Sequence, residues 1–243
     1  VSFSNLKKFD GKKTRKLNLS EISQIAGRAG RHINDGTFGI TGECKQLTSE
    51  EIEKLEKHEL NSVDVLYWRN SEIDFRNLDC LISSLEKKND NEFLKRINDC
   101  EDEKVLKFLI KNYDAITKKQ SEYNIKTLWE CCQIPDFSKK AYGNHIEVVR
   151  KVFEFLTLKS GKVSNDYMKK QLEYLDKYNG NIDTLTNRIS NVRTWSYVAN
   201  KKNWAYNSDY WIERTKYIED KLSDKLHEEL TKKFIDKRIS VLS

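Results

Sequence analysis

Apolar residues recur at two different spacings along this chain, and the change falls near residue 60. Before it the apolar runs are short. "VSFSNL" reads as a β-like run, the end of a buried strand. "KKFDGKKTRKL" follows, where Asp10-Gly11 is a strong hairpin signal between two basic arms. Asn18 with Glu21 three residues on forms a capping box, and the helix it opens delivers Gln24 to Arg31. "NDGTFGITGE" is glycine-rich and predicts a turn with a short strand. Thr48 and Glu51 form a second capping box at the start of the helix "SEEIEKLEKHEL".

From about Asn61 the pattern lengthens. "VDVLYWRNSEIDF" is irregular or part strand, and helical periods follow at 77–87, 91–98, 102–112, 122–133, 144–158, 165–178, 182–200 and 208–238. The last places Trp211, Thr215, Ile218, Leu222, Leu226, Leu230 and Phe234 on one stripe, with Ser223-Asp224 as a candidate break. "KSGKVSN" and "KYNGNID" carry the glycine and asparagine of short links. There is no internal repeat and no low-complexity tract. The expected fold is mainly α, with residues 1–60 and 61–243 as separate regions and the second all-helical.

Composition agrees with this. The 243 residues are 37% hydrophobic and 34% charged, and one proline with nine glycines argues against a sandwich or barrel. No apolar run is long enough to span a membrane, so no membrane partner is expected. The opening "VSFSNLKKFDG" has neither an initiator Met nor a signal-peptide core, and reads as a piece of something longer. Cys44, Cys80, Cys100, Cys131 and Cys132 are odd in number and lack CxxC spacing, which points to reduced structural thiols and to no metal site. The net charge of +6 sits wholly in residues 1–34, where Lys7, Lys8, Lys12, Lys13, Arg15, Lys16, Arg28 and Arg31 face only Asp10 and Glu21. Basic clustering of this kind suits an anionic partner, although a solvated face gives the same pattern.

The chemistry concentrates in "SQIAGRAGRH", Ser23 to His32. On a helix Gln24, Arg28 and Arg31 fall along one stripe, with Gly27 and Gly30 as a second pair three apart. Two helical glycines, each about 1 kcal/mol worse than alanine, imply close approach of a backbone or ligand. Guanidinium groups beside that approach match phosphate oxygens. The bland alternative is a helix end packed on a neighbour, with solvated arginines. His32 reads as a cap or solvated residue rather than a base.

A helix bearing Q-x-x-G-R-x-G-R after a strand and basic hairpin resembles motif VI of superfamily-two DExH-type RNA helicases. The form "QIAGRAGR" is similar to that of the mitochondrial degradosome RNA helicase and its bacterial relatives. The likeness continues through "LYWRNSEIDF", "LWECCQIPDF", "NGNIDTLTNRISNVRTWSYVAN" and "WIERTKYIEDKLSDKLHEELTKKFIDKR". It implies that 1–60 is the C-terminal part of a second RecA-like lobe and 61–243 a helical C-terminal domain lining an RNA path. By the same resemblance Arg28 and Arg31 reach the transferring phosphoryl group of ATP-Mg²⁺ as arginine fingers, while Gln24, Gly27 and Gly30 border the nucleotide. Lys7, Lys8, Lys12, Lys13, Arg15, Lys16 and Arg69 are candidate nucleic-acid contacts, the partner being single-stranded RNA. An exoribonuclease is a further candidate partner, and the compartment is a bacterial-like cytoplasm or, alternatively, the mitochondrial matrix.

The chain departs from the family by lacking G-x-x-x-x-G-K-[ST] and any D-E-x-H or D-E-x-D, so alone it is expected not to hydrolyse ATP. The rival readings are a DNA-directed helicase of the same superfamily and a non-catalytic helical adaptor with a vestigial lobe. The aromatics Trp195, Tyr197, Trp204, Tyr206, Tyr210 and Trp211 are expected mostly in the core rather than stacked on bases.

Overall fold

A computed structural model describes the chain apart from residues 11–12, 31–34, 43, 61, 99, 119–120, 139–141, 158–160 and 243, and the fold is mainly helical. It divides into two compact units: Val1–Leu66 with Asn91–Leu94, and Tyr67–Asp90 with Lys95–Ser243.

In the first unit β1 (Ser2–Phe3) pairs in parallel with β4 (Gly39–Ile40), in the register Ser2↔Gly39 and Phe3↔Ile40. A parallel pair needs a crossover, and here it holds a hairpin and a helix. β2 (Lys7–Phe9) and β3 (Thr14–Lys16) form the antiparallel hairpin, closed by the Asp10 amide donating to the Lys13 carbonyl at 3.0 Å. α1 (Leu19–Ala26) and α2 (Ser49–Glu56) both start from the capping boxes read in the sequence. The core is small: Phe3, Leu6, Leu17, Ile22, Ala26, Leu47 and Leu55.

β5 (Leu66–Trp68) pairs with β6 (Leu94–Arg96), and α3 (Leu78–Glu86) lies between them in sequence. α4 (Glu101–Asn112), the short α5 (Asp114–Thr117), α6 (Glu122–Cys132) and α7 (Tyr142–Thr157) come next. α8 (Asn165–Leu175), α9 (Ile182–Asn200) and α10 (Ser208–Leu242) complete the chain. One continuous apolar core runs from Leu78 to Leu222 and takes in Trp129, Trp195, Trp204 and Trp211. α10 lies along α9 and is tied to it by Arg193 Nε, which donates to Glu219 Oε1 at 2.7 Å. Trp211 Nε1 donates to Asn165 Oδ1 at 3.0 Å and ties α10 to α8.

Four sequence-based expectations are corrected. Residues 61–243 are not all-helical, because β5 and β6 pair within them. Residues 91–98 are not helical: Asn91, Leu94 and their neighbours form a turn and β6, because Arg96 points inward to Glu103 and the Leu85 carbonyl while Phe93 and Ile97 face out. α10 passes Ser223-Asp224 unbroken, since Leu222 is fully buried on one side and Lys225 pairs with Glu228 one turn on. α1 ends at Ala26, before the motif arginines. Of the aromatic cluster the tryptophans are buried as expected, but Tyr206 and Tyr210 are exposed. Among the described residues no helix is long and apolar enough to cross a membrane.

Candidate functional site

The site begins with Glu21, in the first turn of α1. Its backbone amide is accepted by Asn18 Oδ1 at 2.9 Å, and its Oε2 accepts the Asn18 amide at 3.0 Å. The same carboxylate takes both terminal nitrogens of Arg15, at 2.9 and 2.8 Å, and pairs with Lys8. Lys8 and Arg15 are direct cross-strand partners in the hairpin. Like charges so placed repel, and the carboxylate shared between them turns the repulsion into a clamp. These cations and the backbone amide hold the Glu21 carboxyl far below the usual carboxylate range. Asp10 approaches Arg15 Nε at 3.4 Å.

α2 repeats the device. Glu51 Oε2 accepts the Thr48 amide at 2.9 Å, and Glu51 Oε1 pairs with Lys16 Nζ at 2.8 Å. Both capping-box acids therefore also anchor the basic hairpin. Lys8, Arg15 and Lys16, read as candidate backbone contacts, are held by Glu21, Asp10 and Glu51. Lys7 and Lys13 are exposed and make no side-chain ion pair among the described residues. Lys12 lies outside those residues.

The motif itself starts on the last turn of α1. Gln24 and Arg28 are exposed, and neither side chain makes a hydrogen bond or ion pair among the described residues. Gly27 caps the helix in a right-handed conformation, its amide donating to the Ser23 carbonyl at 2.8 Å, and the Arg28 and Ala29 amides continue the turn onto Ile25 and Ala26. A Cβ on Gly27 would meet only the Ser23 carbonyl, at 3.1 Å. The fold's own close approach lies elsewhere, at Gly36, where a Cβ would sit 2.2 Å from the carbonyl carbon of Ala29 and 2.4 Å from the Gly30 nitrogen. Sequence reasoning passed over Gly36, because only the folded chain brings it back onto Ala29–Gly30. Gly30 is half-buried against it. Arg31 and His32 lie outside the described residues.

Arg69, the other candidate nucleic-acid contact, has partners within its own unit. Its terminal nitrogens each donate to Asp102 at 2.9 Å, one comes within 3.5 Å of Glu103, and its guanidinium stands 5.3 Å from the centre of the Trp129 ring. Arg96 pairs with the buried Glu103 at 2.6 Å. The neighbouring Asn70 is buried, donating to the Glu72 and Ser84 carbonyls. "YWRN" thus fastens its own segment to α3 and α4.

One stretch of 52 residues is 64% identical to the DExH-box ATP-dependent RNA helicase DExH16, mitochondrial, of Arabidopsis thaliana. The match covers 21% of this chain and 9% of that helicase. It relates the chain to a helicase. No family model matches the chain, and no solved structure does. That stretch is therefore a local kinship, covering a small part of the relative's length.

Proposed function

We propose that the chain is the motif VI and C-terminal portion of an ATP-dependent RNA helicase. Residues 1–60 would close a second RecA-like lobe against ATP-Mg²⁺ held mainly by the first. The helical remainder would line the path of single-stranded RNA. The observation that carries this reading is selective neutralisation. In one small basic unit Lys8, Arg15 and Lys16 are paired with carboxylates, whereas the hairpin's Lys7 and Lys13 and, on the motif itself, Arg28, one turn beyond Gln24, make no side-chain pair among the described residues. A guanidinium kept clear of internal acids suits an external phosphate. Gly27 supports it too. Its backbone geometry accepts any residue and a Cβ there is merely tight, so the fold itself gives little reason for a glycine. A nucleotide drawn close to the helix end does give one. The likeness to a mitochondrial RNA helicase points to the same substrate class.

In this reading Arg28 and Arg31 stabilise charge on the transferring phosphoryl group, and Gln24 hydrogen-bonds the phosphate or its water. The chain carries no P-loop sequence, so its arginines act on a nucleotide bound by another part of the protein. The test is Arg28→Ala and Arg31→Ala, singly, in the intact protein. Removing an arginine finger costs about 10³-fold or more in turnover. RNA-stimulated ATP hydrolysis should fall on that scale while the circular-dichroism melt is unchanged. Retained turnover in both variants refutes the assignment. Equal stimulation by matched single-stranded DNA would favour the DNA-directed alternative.

A further inference from the structure

The helical unit holds a cavity of about 370 Å³ that none of the chemistry above uses. It is lined from three sides. Asp136 and Ser138 come from the α6–α7 connection, Asn144 and His145 from the start of α7, and Asp183, Asn187 and Asn191 from one face of α9. The last two, four residues apart, continue toward Thr194 at the cavity's inner end, whose hydroxyl donates to the Pro135 carbonyl at 3.3 Å. Asp136 is fixed by the Ser138 amide and hydroxyl, at 3.0 and 2.9 Å. Asn191 donates to the Asn187 carbonyl at 2.7 Å and keeps its side-chain oxygen for other uses. The carboxamides of Asn144 and Asn187 make no hydrogen bond among the described residues. His145 is 8% exposed, and burial pushes its pKa below the ordinary value despite Asp136 and Glu101 nearby and a hydrogen bond to the Ile134 backbone, so at pH 7 the neutral ring spends its donor on Ile134 and keeps one acceptor nitrogen.

This lining selects its ligand by exclusion and by match. Asp136 and Asp183 place two carboxylates on the walls, which disfavours a phosphate. The described residues include no cluster of His, Cys, Asp and Glu able to hold a metal ion. The walls mix apolar surface, Val148 included, with hydrogen-bonding groups, which suits a guest that is neither charged nor wholly apolar. What remains is a flat, uncharged heterocycle with hydrogen-bonding edges, and carboxamides with carboxylates are the side chains that pair with base edges. We infer that the cavity between the start of α7 and the polar face of α9 takes one unstacked nucleobase of a single-stranded RNA. This deepens the proposal that the helical unit faces RNA, and it rests on that proposal for the identity of the polymer.

The experiment titrates the full isotopically labelled chain with each of the four neutral ribonucleosides and, separately, with inorganic phosphate. Nucleosides should shift the amide resonances of Asn144, Asn187 and Asn191 and the ring of His145, with affinity near the millimolar level of a fragment-sized ligand. Phosphate should leave them in place. Asn144→Ala/Asn187→Ala removes two exposed carboxamides and should leave the melt unchanged while weakening nucleoside binding by about fivefold or more, the effect of one or two neutral hydrogen bonds. No shift with any nucleoside, equal shifts with phosphate, or undiminished binding by the double variant each overturns the pocket. Failure here would leave the arginine-finger test untouched, because nucleoside binding does not involve ATP turnover.

Discussion

The two units of this chain are held together by different forces. Among the described residues the first has seven buried apolar residues, and the second has thirty-three in a single cluster. The first compensates with charge: two capping-box glutamates each grip the basic hairpin, and the helix starts and strand pairing share the same few carboxylates. The second relies on volume, with Leu81, Leu109, Val149, Leu185 and Ile218 fully enclosed. Apolar packing is insensitive to salt and nearly so to pH, whereas exposed ion pairs respond to both. The lesson is that the unit carrying the candidate nucleotide-facing motif has the smaller apolar core to fall back on when its ion pairs weaken.

The contrast can be broken most forcefully in the core. Leu185→Ala removes a fully buried side chain from the larger unit and should destabilise it by about 2–5 kcal/mol. All five tryptophans lie in that unit, so fluorescence-detected denaturation reads the effect directly. A loss below about 1 kcal/mol would contradict dense packing around α9. Next comes Gly36→Ala, whose new methyl group would overlap the Ala29–Gly30 peptide. A cost of about 1–3 kcal/mol is expected, seen as faster amide hydrogen exchange in α1 and β4 with the tryptophan signal unmoved.

Glu21→Gln sharpens the comparison at lower energy. It removes the charge that separates Lys8 from Arg15, and hydrogen exchange in β2, β3 and the first turn of α1 should rise. Lowering the pH should do the same to the unmodified chain. The folded-state pKa of Glu21 is depressed, so its stabilisation is complete above the ordinary glutamate value of about 4.3 and is lost as pH falls below it. Exchange in the hairpin should also rise with salt while exchange in α9 does not. A hairpin indifferent to both pH and salt would refute the electrostatic account. The smallest effect is expected from Gly27→Ala, within about 0.5 kcal/mol of neutral, because the backbone there is already helical and the one close contact is tight rather than overlapping. A stable Gly27→Ala chain whose parent protein loses ATP turnover would separate the motif's chemistry from its folding.

Local signals in the sequence were reliable. Asn18–Glu21 and Thr48–Glu51 cap helices as their spacing implies, and Asp10 sits at a hairpin turn. Long-range signals were not visible. Nothing local marks β1 and β4 as parallel partners thirty-seven residues apart, or shows that Glu21 serves a hairpin as well as a helix. Residues 91–98 misled because Phe93, Leu94 and Ile97 match a helical period, whereas the residue turned inward is the charged Arg96, attracted by Glu103 from α4. The partners of Arg69 were hidden as well: only the fold brings Asp102 and the Trp129 ring next to it. The candidate nucleobase cavity was hidden too, because its walls come from α7 and α9, and polar residues on a helix face read as solvated until a second helix shadows them.

Glu21 has a mechanical side as well. A carboxylate that bonds the first turn of α1 and both hairpin strands acts as a rivet where the three elements meet. A pull on the hairpin is delivered to the start of α1 and carried along its eight residues, a rod of about 12 Å, to the turn that bears Arg28. The hairpin and the arginine turn are therefore joined in series, through one carboxylate and one short helix.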